Sequence, residues 1–123
     1  YLDSPYNARQ YSANYHLLET IARYDKPKFR TEKTGIREVT FNSNYSLKEK
    51  AKIALENLIC NANFKYIFLS YNNEGILNLN DVKEIMNKYG KYEYFTKEYQ
   101  KYKSVTFDTG NLKVYEYLHF LKK

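Results

Sequence analysis

A chain of 123 residues and 14.8 kDa, 43% hydrophobic and 28% charged, has the arithmetic of a single soluble domain of ordinary size. An aromatic content of 18% argues against disorder, and no uncharged apolar run approaches the ~18 residues of a membrane helix; the longest is Tyr66 to Tyr71. Twenty Lys and Arg against fourteen Asp and Glu give a formal charge of +6 and a pI near 9.2, which points to a polyanionic partner and not to a membrane.

Tyr1-Leu2-Asp3 reads as the end of a buried strand, halted by Pro5, which has no amide hydrogen to donate into a ladder. From Ser12 to Arg23 the residues Tyr11, Tyr15, Leu18 and Ala22, with Leu17 and Ile21 beside them, recur at helical spacing and predict a helix with one apolar stripe, of which Tyr15, Leu18 and Ile21 are expected in the core. Pro27 ends it. Residues 25–45 lack either periodicity and read as a long surface loop. Ser46-Leu47-Lys48-Glu49 has capping-box form and predicts a helix with Leu47, Ala51, Ala54, Leu55, Leu58 and Ile59 inward, ended by Asn61 to Asn63. Cys60 is expected in the core beside them. The short apolar run Tyr66-Ile67-Phe68-Leu69-Ser70 predicts a strand covered on both faces, followed by a turn at Asn72-Asn73-Glu74-Gly75. Leu79, Val82, Ile85, Met86 and Tyr89 mark a further helix, with Gly90 as a left-handed cap. Tyr92 to Tyr102 and Lys113 to Leu121 predict a hairpin across Asp108-Thr109-Gly110-Asn111.

Strands alternating with helices predict an α/β fold with an open parallel sheet, its terminal hairpin making one edge strand antiparallel. The first strand would then stand at a raw edge, which soluble proteins avoid. With no initiator Met and no basic-then-apolar leader before Tyr1, we expect no secretion signal and an upstream continuation. A lone cysteine excludes an intramolecular disulfide and suits a reducing cytoplasm, and with only His16 and His119 beside it no metal site of recognisable spacing exists.

Sixteen of the twenty cations are Lys, and Lys, Asn and Tyr share A/T-rich codons, so genome composition also raises the pI. Cations and anions divide evenly about Phe64, with no basic tail. The densest stretch lies in the 25–45 loop, where Lys26, Lys28, Arg30, Lys33 and Arg37 face only Glu32 and would sit beside a phosphate backbone, unless they are simply a solvated loop.

Asp3-Ser4-Pro5-Tyr6 directly follows a strand, where α/β folds place ligand contacts. Extended through Asn7-Ala8-Arg9-Gln10-Tyr11-Ser12-Ala13-Asn14-Tyr15-His16-Leu17-Leu18-Glu19, it closely resembles the segment around the catalytic D-P-P-Y motif of adenine-specific DNA methyltransferases. Phe68 to Gly75 is similar to that family's next motif-bearing strand and loop, and Tyr99 to Lys103 with Tyr115 to Leu121 to its closing hairpin. The resemblance implies the carboxyl-terminal half of a Rossmann-like methyltransferase sheet, one partial catalytic domain over residues 1–123. It further implies the transfer of a methyl group from S-adenosylmethionine to the 6-amino group of adenine in double-stranded DNA, within a type II restriction-modification system.

The chemistry explains the motif. Adenine's exocyclic amine is a poor nucleophile because its lone pair is delocalised into the ring; two acceptors gripping its hydrogens localise that pair. By resemblance Asp3 supplies a carboxylate and an edge of the cofactor pocket, Ser4 a backbone carbonyl, Pro5 a fixed turn and Tyr6 a ring stacked on the base. Flipping the base out costs a few kcal/mol, and aromatic stacking returns roughly 1 to 3 kcal/mol. The family usually has proline where this chain has Ser4, which implies a less rigid carbonyl with the same reaction. By the same resemblance Arg9, Gln10, Asn14 and His16 border the flipped base or the DNA backbone, with a polar helix start as the plain alternative. Asn72, Asn73 and Glu74 stand at the same sheet edge, either lining the cleft or forming an ordinary turn. Lys101 and Lys103 face phosphates or solvent.

No Gly-rich cofactor loop occurs in the chain. That loop and the DNA-reading region are therefore expected upstream of Tyr1, or lost, within a doubly wound fold of ~250 residues; the expected partner is the missing amino-terminal half, a complementing chain, or a second copy through the open first strand. Two other functions fit the same residues: a catalytically inactive truncated product that binds nucleic acid weakly through its lysines and tyrosines, and an RNA adenine methyltransferase acting on a base already unpaired.

Overall fold

The structure is a computed structural model that describes residues 1–30, 35–38, 42–100 and 113–123. Its elements in chain order are α1 (Tyr11–Asn14), α2 (His16–Arg23), a 3-10 turn (Asn44–Ser46), α3 (Lys48–Asn61), β1 (Tyr66–Asn72), α4 (Leu79–Asn87), β2 (Lys91–Gln100) and β3 (Lys113–Lys122).

The three strands form one sheet in the order β1-β3-β2, and both of its ladders are antiparallel. The antiparallel terminal hairpin is present as expected, but its placement at the sheet edge is corrected: among the described strands β3 inserts between β1 and β2 instead of adding outside. Side-chain chemistry gives the reason. β3 buries Val114, His119 and Leu121 and needs neighbours on both sides, whereas β2 carries Lys91, Glu93, Lys97 and Glu98, a charged strand suited to an edge. The parallel contact among the described residues is an isolated bridge between Leu2 and Leu69.

One face of the sheet builds the core. Ile67, Leu69 and Tyr71 of β1 and Leu121 of β3 meet Ala51, Leu55 and Ile59 of α3 and Val82, Ile85 and Met86 of α4. The burial along β1 alternates, so the expectation of a strand covered on both faces fails: Tyr66 is 50% and Phe68 37% exposed on the other side. Lys52 bridges α3 to Asp81 (3.0 Å) and Glu84 (2.7 Å) of α4, and Lys88 reaches Glu56 at 3.0 Å. Such half-exposed pairs orient helices more than they stabilise them.

Local signals fared unevenly. The predicted helix at 12–23 is broken at Tyr15, and none of its residues is buried. Tyr15, Leu18 and Ile21, expected in the core, are exposed, as are Tyr11 and Leu17, because neither short helix lies against the sheet. Cys60, also expected inside, follows Ile59 on α3 and is carried one step round the helix to the surface. Ser46 does not cap α3: it is buried in the 3-10 turn with its Oγ unpartnered among the described residues, and Leu47 is the cap. The capping box belongs to α4, where Asn78 Oδ1 accepts from the Asp81 amide (3.0 Å) and Asp81 Oδ2 from the Asn78 amide (3.2 Å). Gly90 is not the left-handed cap of α4, which ends at Asn87 with Lys88 as its cap. Its role is close approach, since a Cβ there would stand 2.3 Å from the Lys122 carbonyl oxygen. The hairpin strands match expectation, with the connecting turn 108–111 outside the described residues.

His119 is fully buried, shares a 2.8 Å hydrogen bond through Nδ1 with the Tyr92 hydroxyl, and leaves Nε2 without a partner among the described residues. Burial, with a smaller contribution from the Lys83 charge, pushes its pKa down to about 4. The unfolded chain takes up that proton near pH 6.5, the folded chain only near 4. Between these values the unfolded state binds more protons, so stability is complete above pH 6.5 and falls toward pH 4 by about 3 kcal/mol. Guanidinium denaturation should show this slope between pH 7 and 5, and His119→Leu should flatten it; an unchanged slope in the variant would refute the assignment. Gly90→Ala should lower stability by at least ~1 to 3 kcal/mol through the collision with Lys122, read as a lower denaturation midpoint at unchanged m-value.

Candidate active site

The Asp3 to Tyr6 segment is positioned from both ends. Before it, the Leu2 amide donates to the Phe68 carbonyl (2.7 Å) and the Ser70 amide to the Leu2 carbonyl (3.0 Å), so Tyr1 to Asp3 runs alongside β1. The Tyr1 hydroxyl also meets Ser70 Oγ. After it, the Ile76 amide donates to the Tyr6 carbonyl at 2.7 Å, and the Tyr6 ring stands edge-on to Tyr71 with centroids 6.1 Å apart. Pro5 between them has its φ fixed by its ring and needs no amide partner.

Tyr71 is held in turn. It is buried, its hydroxyl accepts from the Leu77 amide (3.2 Å), and burial raises its pKa, which keeps the phenol neutral. Gly75 makes room for it, because a Cβ at 75 would lie 2.2 Å from the Tyr71 ring. The packing role of Gly75 is to let the 73–77 loop fold over the ring that backs Tyr6.

In front of the segment lies a cleft of about 450 Å³ lined by polar groups, with Asp3, Ser4, Pro5 and Tyr6 on one side and Ser70 of β1 and Glu116 of β3 among the rest. Asp3 is exposed to it and Tyr6 is 38% exposed, enough for one ring face to take a ligand. Arg9 and Asn14 also line it, as do Tyr11 and Tyr15, whose rings stack at 5.6 Å. Ser70, Glu116, Tyr11 and Tyr15 were not among the residues expected there. The register explains two of them, since Ser70 bonds Leu2 and Glu116 lies opposite Asn72, the last residue of β1.

The other sequence candidates are dispersed. Gln10 Oε1 accepts from the Ser43 amide at 3.0 Å, tying the motif segment to the turn before α3. His16 is half-buried at the start of α2, its carbonyl accepting from Thr20 Oγ1. Lys26, Lys28 and Arg30 are exposed, while Arg37 is largely enclosed, its guanidinium 2.6 Å from Asp25 and 3.5 Å from Thr20 Oγ1. The loop is pinned there by paired backbone bonds, Arg30 amide to Ile36 carbonyl (2.8 Å) and Glu38 amide to Lys28 carbonyl (2.7 Å). Lys33, Lys101 and Lys103 lie outside the described residues. Asn72 and Asn73 serve the turn: Asn72 Oδ1 accepts from the Glu74 amide (3.1 Å) and Asn73 Oδ1 from the Tyr115 amide (2.9 Å). No group of three or more metal-ligating side chains occurs, and no helix is long and apolar enough to cross a membrane, among the described residues.

Comparison with known proteins places this geometry in context. The type II methyltransferase M.NlaIII of Neisseria lactamica is 48% identical over 128 residues, covering all of this chain and 37% of its own length. M.FokI of Planomicrobium okeanokoites is 40% identical over 127 residues, covering all of this chain and 19% of its own length. M.CviAII of Paramecium bursaria Chlorella virus 1 is 31% identical over 122 residues, covering 98% of this chain and 36% of its own length. The chain thus spans well under half the length of these curated relatives, and no solved structure matches it. The family model for D12 class N6 adenine-specific DNA methyltransferase matches residues 1–85, a stretch that holds the strand-end motif, its backing ring at Tyr71 and the loop over it, and the chain belongs to that family.

Proposed function

We propose that the chain carries the target-amine side of an adenine-N6 DNA methyltransferase active site, within a restriction-modification enzyme of which it is one part. The observation that supports this most is the strand-end cleft itself, whose lining brings Asp3, Ser4 and the exposed ring of Tyr6 together. The Asp3 carboxylate and the Ser4 carbonyl accept the two hydrogens of the amine and localise its lone pair. Tyr6 stacks on the extruded base, its edge contact with Tyr71 keeping the ring from rotating away. Stacking of this kind is worth roughly 1 to 3 kcal/mol, comparable with the cost of extrusion.

S-adenosylmethionine supplies an electrophilic methyl group on a positively charged sulfur. The described lining suits such a cation, with the Asp3 carboxylate, neutral acceptors and tyrosine rings outnumbering the single guanidinium of Arg9. In this chain Asp3 would face the donor, and the Gly-rich loop that holds it belongs elsewhere in the enzyme. Arg9, Asn14 and His16 beside the cleft, with Lys26, Lys28, Arg30 and Lys33 beyond, are the proposed contacts to duplex DNA. Gln10 and Arg37 contribute by holding the segments on which those residues sit. The bare stripe of α1 and α2 and the open face of β1 support a cover from the rest of the polypeptide, a complementing chain or a second copy.

Asp3→Ala in the full-length enzyme should lower methyl transfer to duplex DNA by at least ~10³-fold, measured with radiolabelled donor, while a gel shift shows DNA binding retained. Undiminished turnover would overturn the proposal. Ser4→Pro should raise the rate or leave it unchanged, since the Ser4 contact is through the backbone.

A further inference from the structure

Most carboxylates of the described residues sort into two groups. Glu19, Asp25, Glu56, Asp81, Glu84, Glu93 and Glu98 each sit within 4 Å of a lysine or arginine. Asp3, Glu38, Glu49 and Glu116 form no ion pair with a described residue. Asp3, Glu38 and Glu49 are exposed, where water offsets the charge; Glu116 is partly buried and lines the same cleft as Asp3. A carboxylate held partly out of water without a counter-charge is disfavoured unless it serves something else.

A counter-charge is at hand and unused. In the β2–β3 register Lys97 lies directly opposite Glu116, the position from which opposite charges ordinarily pair across strands. The Lys97 ammonium instead sits over the Tyr99 ring, 5.0 Å from its centroid. Glu116 also borders the adjoining cavity of about 650 Å³, lined by Tyr1, Lys97 and Tyr99 among others, so the residue is shared by the two volumes.

From this arrangement we infer that Glu116 is a second carboxylate of the methyl-transfer site, facing the target amine from β3. The inference rests on the reading proposed above and deepens it. When the N6 lone pair forms the bond to the methyl carbon, the carbon–sulfur bond breaks with its electron pair left on sulfur. Positive charge then appears on N6, which must shed one of its two hydrogens as a proton. Glu116 stabilises that charge, takes the proton, and releases it to water through the adjoining cavity. Asp3, bound to the amine hydrogens from the start, orients the lone pair; Glu116 acts once charge develops.

The test uses the full-length enzyme. Glu116→Gln should lower kcat about ten- to a hundredfold with KM for DNA within about twofold. The fluorescence rise of a duplex carrying 2-aminopurine at the target position, which reports base extrusion, should be unchanged. Glu116→Asp should recover part of kcat. An unchanged kcat in Glu116→Gln, or a loss of extrusion that matches the loss of rate, would overturn the inference. Should Glu116→Gln lower the melting temperature, Glu116→Gly with added formate decides: restored turnover supports the role, and no restoration rejects it. Asp3→Asn serves as the separate control, because full activity there would remove the underlying reading whatever Glu116 does.

Discussion

Two backbone hydrogen bonds, from the Leu2 amide to Phe68 and from the Ser70 amide to Leu2, carry the arrangement of this molecule. They lash the segment Tyr1 to Asp3 to β1, and so place Asp3 where the cleft opens. The second tie, from the Ile76 amide to the Tyr6 carbonyl, comes from the loop after β1. A single strand therefore holds the motif at both ends. Its own position is set by α3 and α4 packed beneath it and by β3 beside it. Core packing thus reaches the site through β1, with Tyr71 as the buried ring that backs Tyr6 from below.

The electrostatics of the fold divide along the same line. Between α3 and α4 lysines meet carboxylates, and Lys52 alone engages two acids of α4. At the cleft the matching stops, leaving Asp3 and Glu116 facing an open volume. An active site that handles an amine acquiring positive charge gains from acceptors already oriented, because no reorganisation is then needed as the charge appears. A folded chain tolerates such an arrangement where a rigid scaffold holds it, and both residues stand on or beside strands of one sheet.

Much of this was legible in the residues. The helical spacing of Ala51, Leu55 and Ile59 and of Val82, Ile85 and Met86 marks the core-facing stripes, and the motif after Leu2 marks the site. What was not legible has identifiable causes. The order β1-β3-β2 depends on which strand tolerates an edge, a comparison between distant segments. The exposure of Tyr15, Leu18 and Ile21 cannot be read from their helical period, since period gives a face and not what covers it. Ser46 and Asn78 both start plausible capping boxes, and only the local backbone decides that Asn78 closes one. Ser70 and Glu116 reach the cleft through strand register, which sets Ser70 opposite Leu118 and Glu116 opposite Asn72, and no local pattern encodes that.

The proposed function requires a flipped adenine to rest on Tyr6 in the Asp3 cleft. Photochemical cross-linking tests this directly: a duplex with 5-iodouracil in place of the target adenine is bound to the full-length enzyme, irradiated, and the linked peptide sequenced. Attachment at Tyr6 is expected. Attachment confined to the basic loop around Lys26 to Arg30, with Tyr6 unmodified, would contradict it.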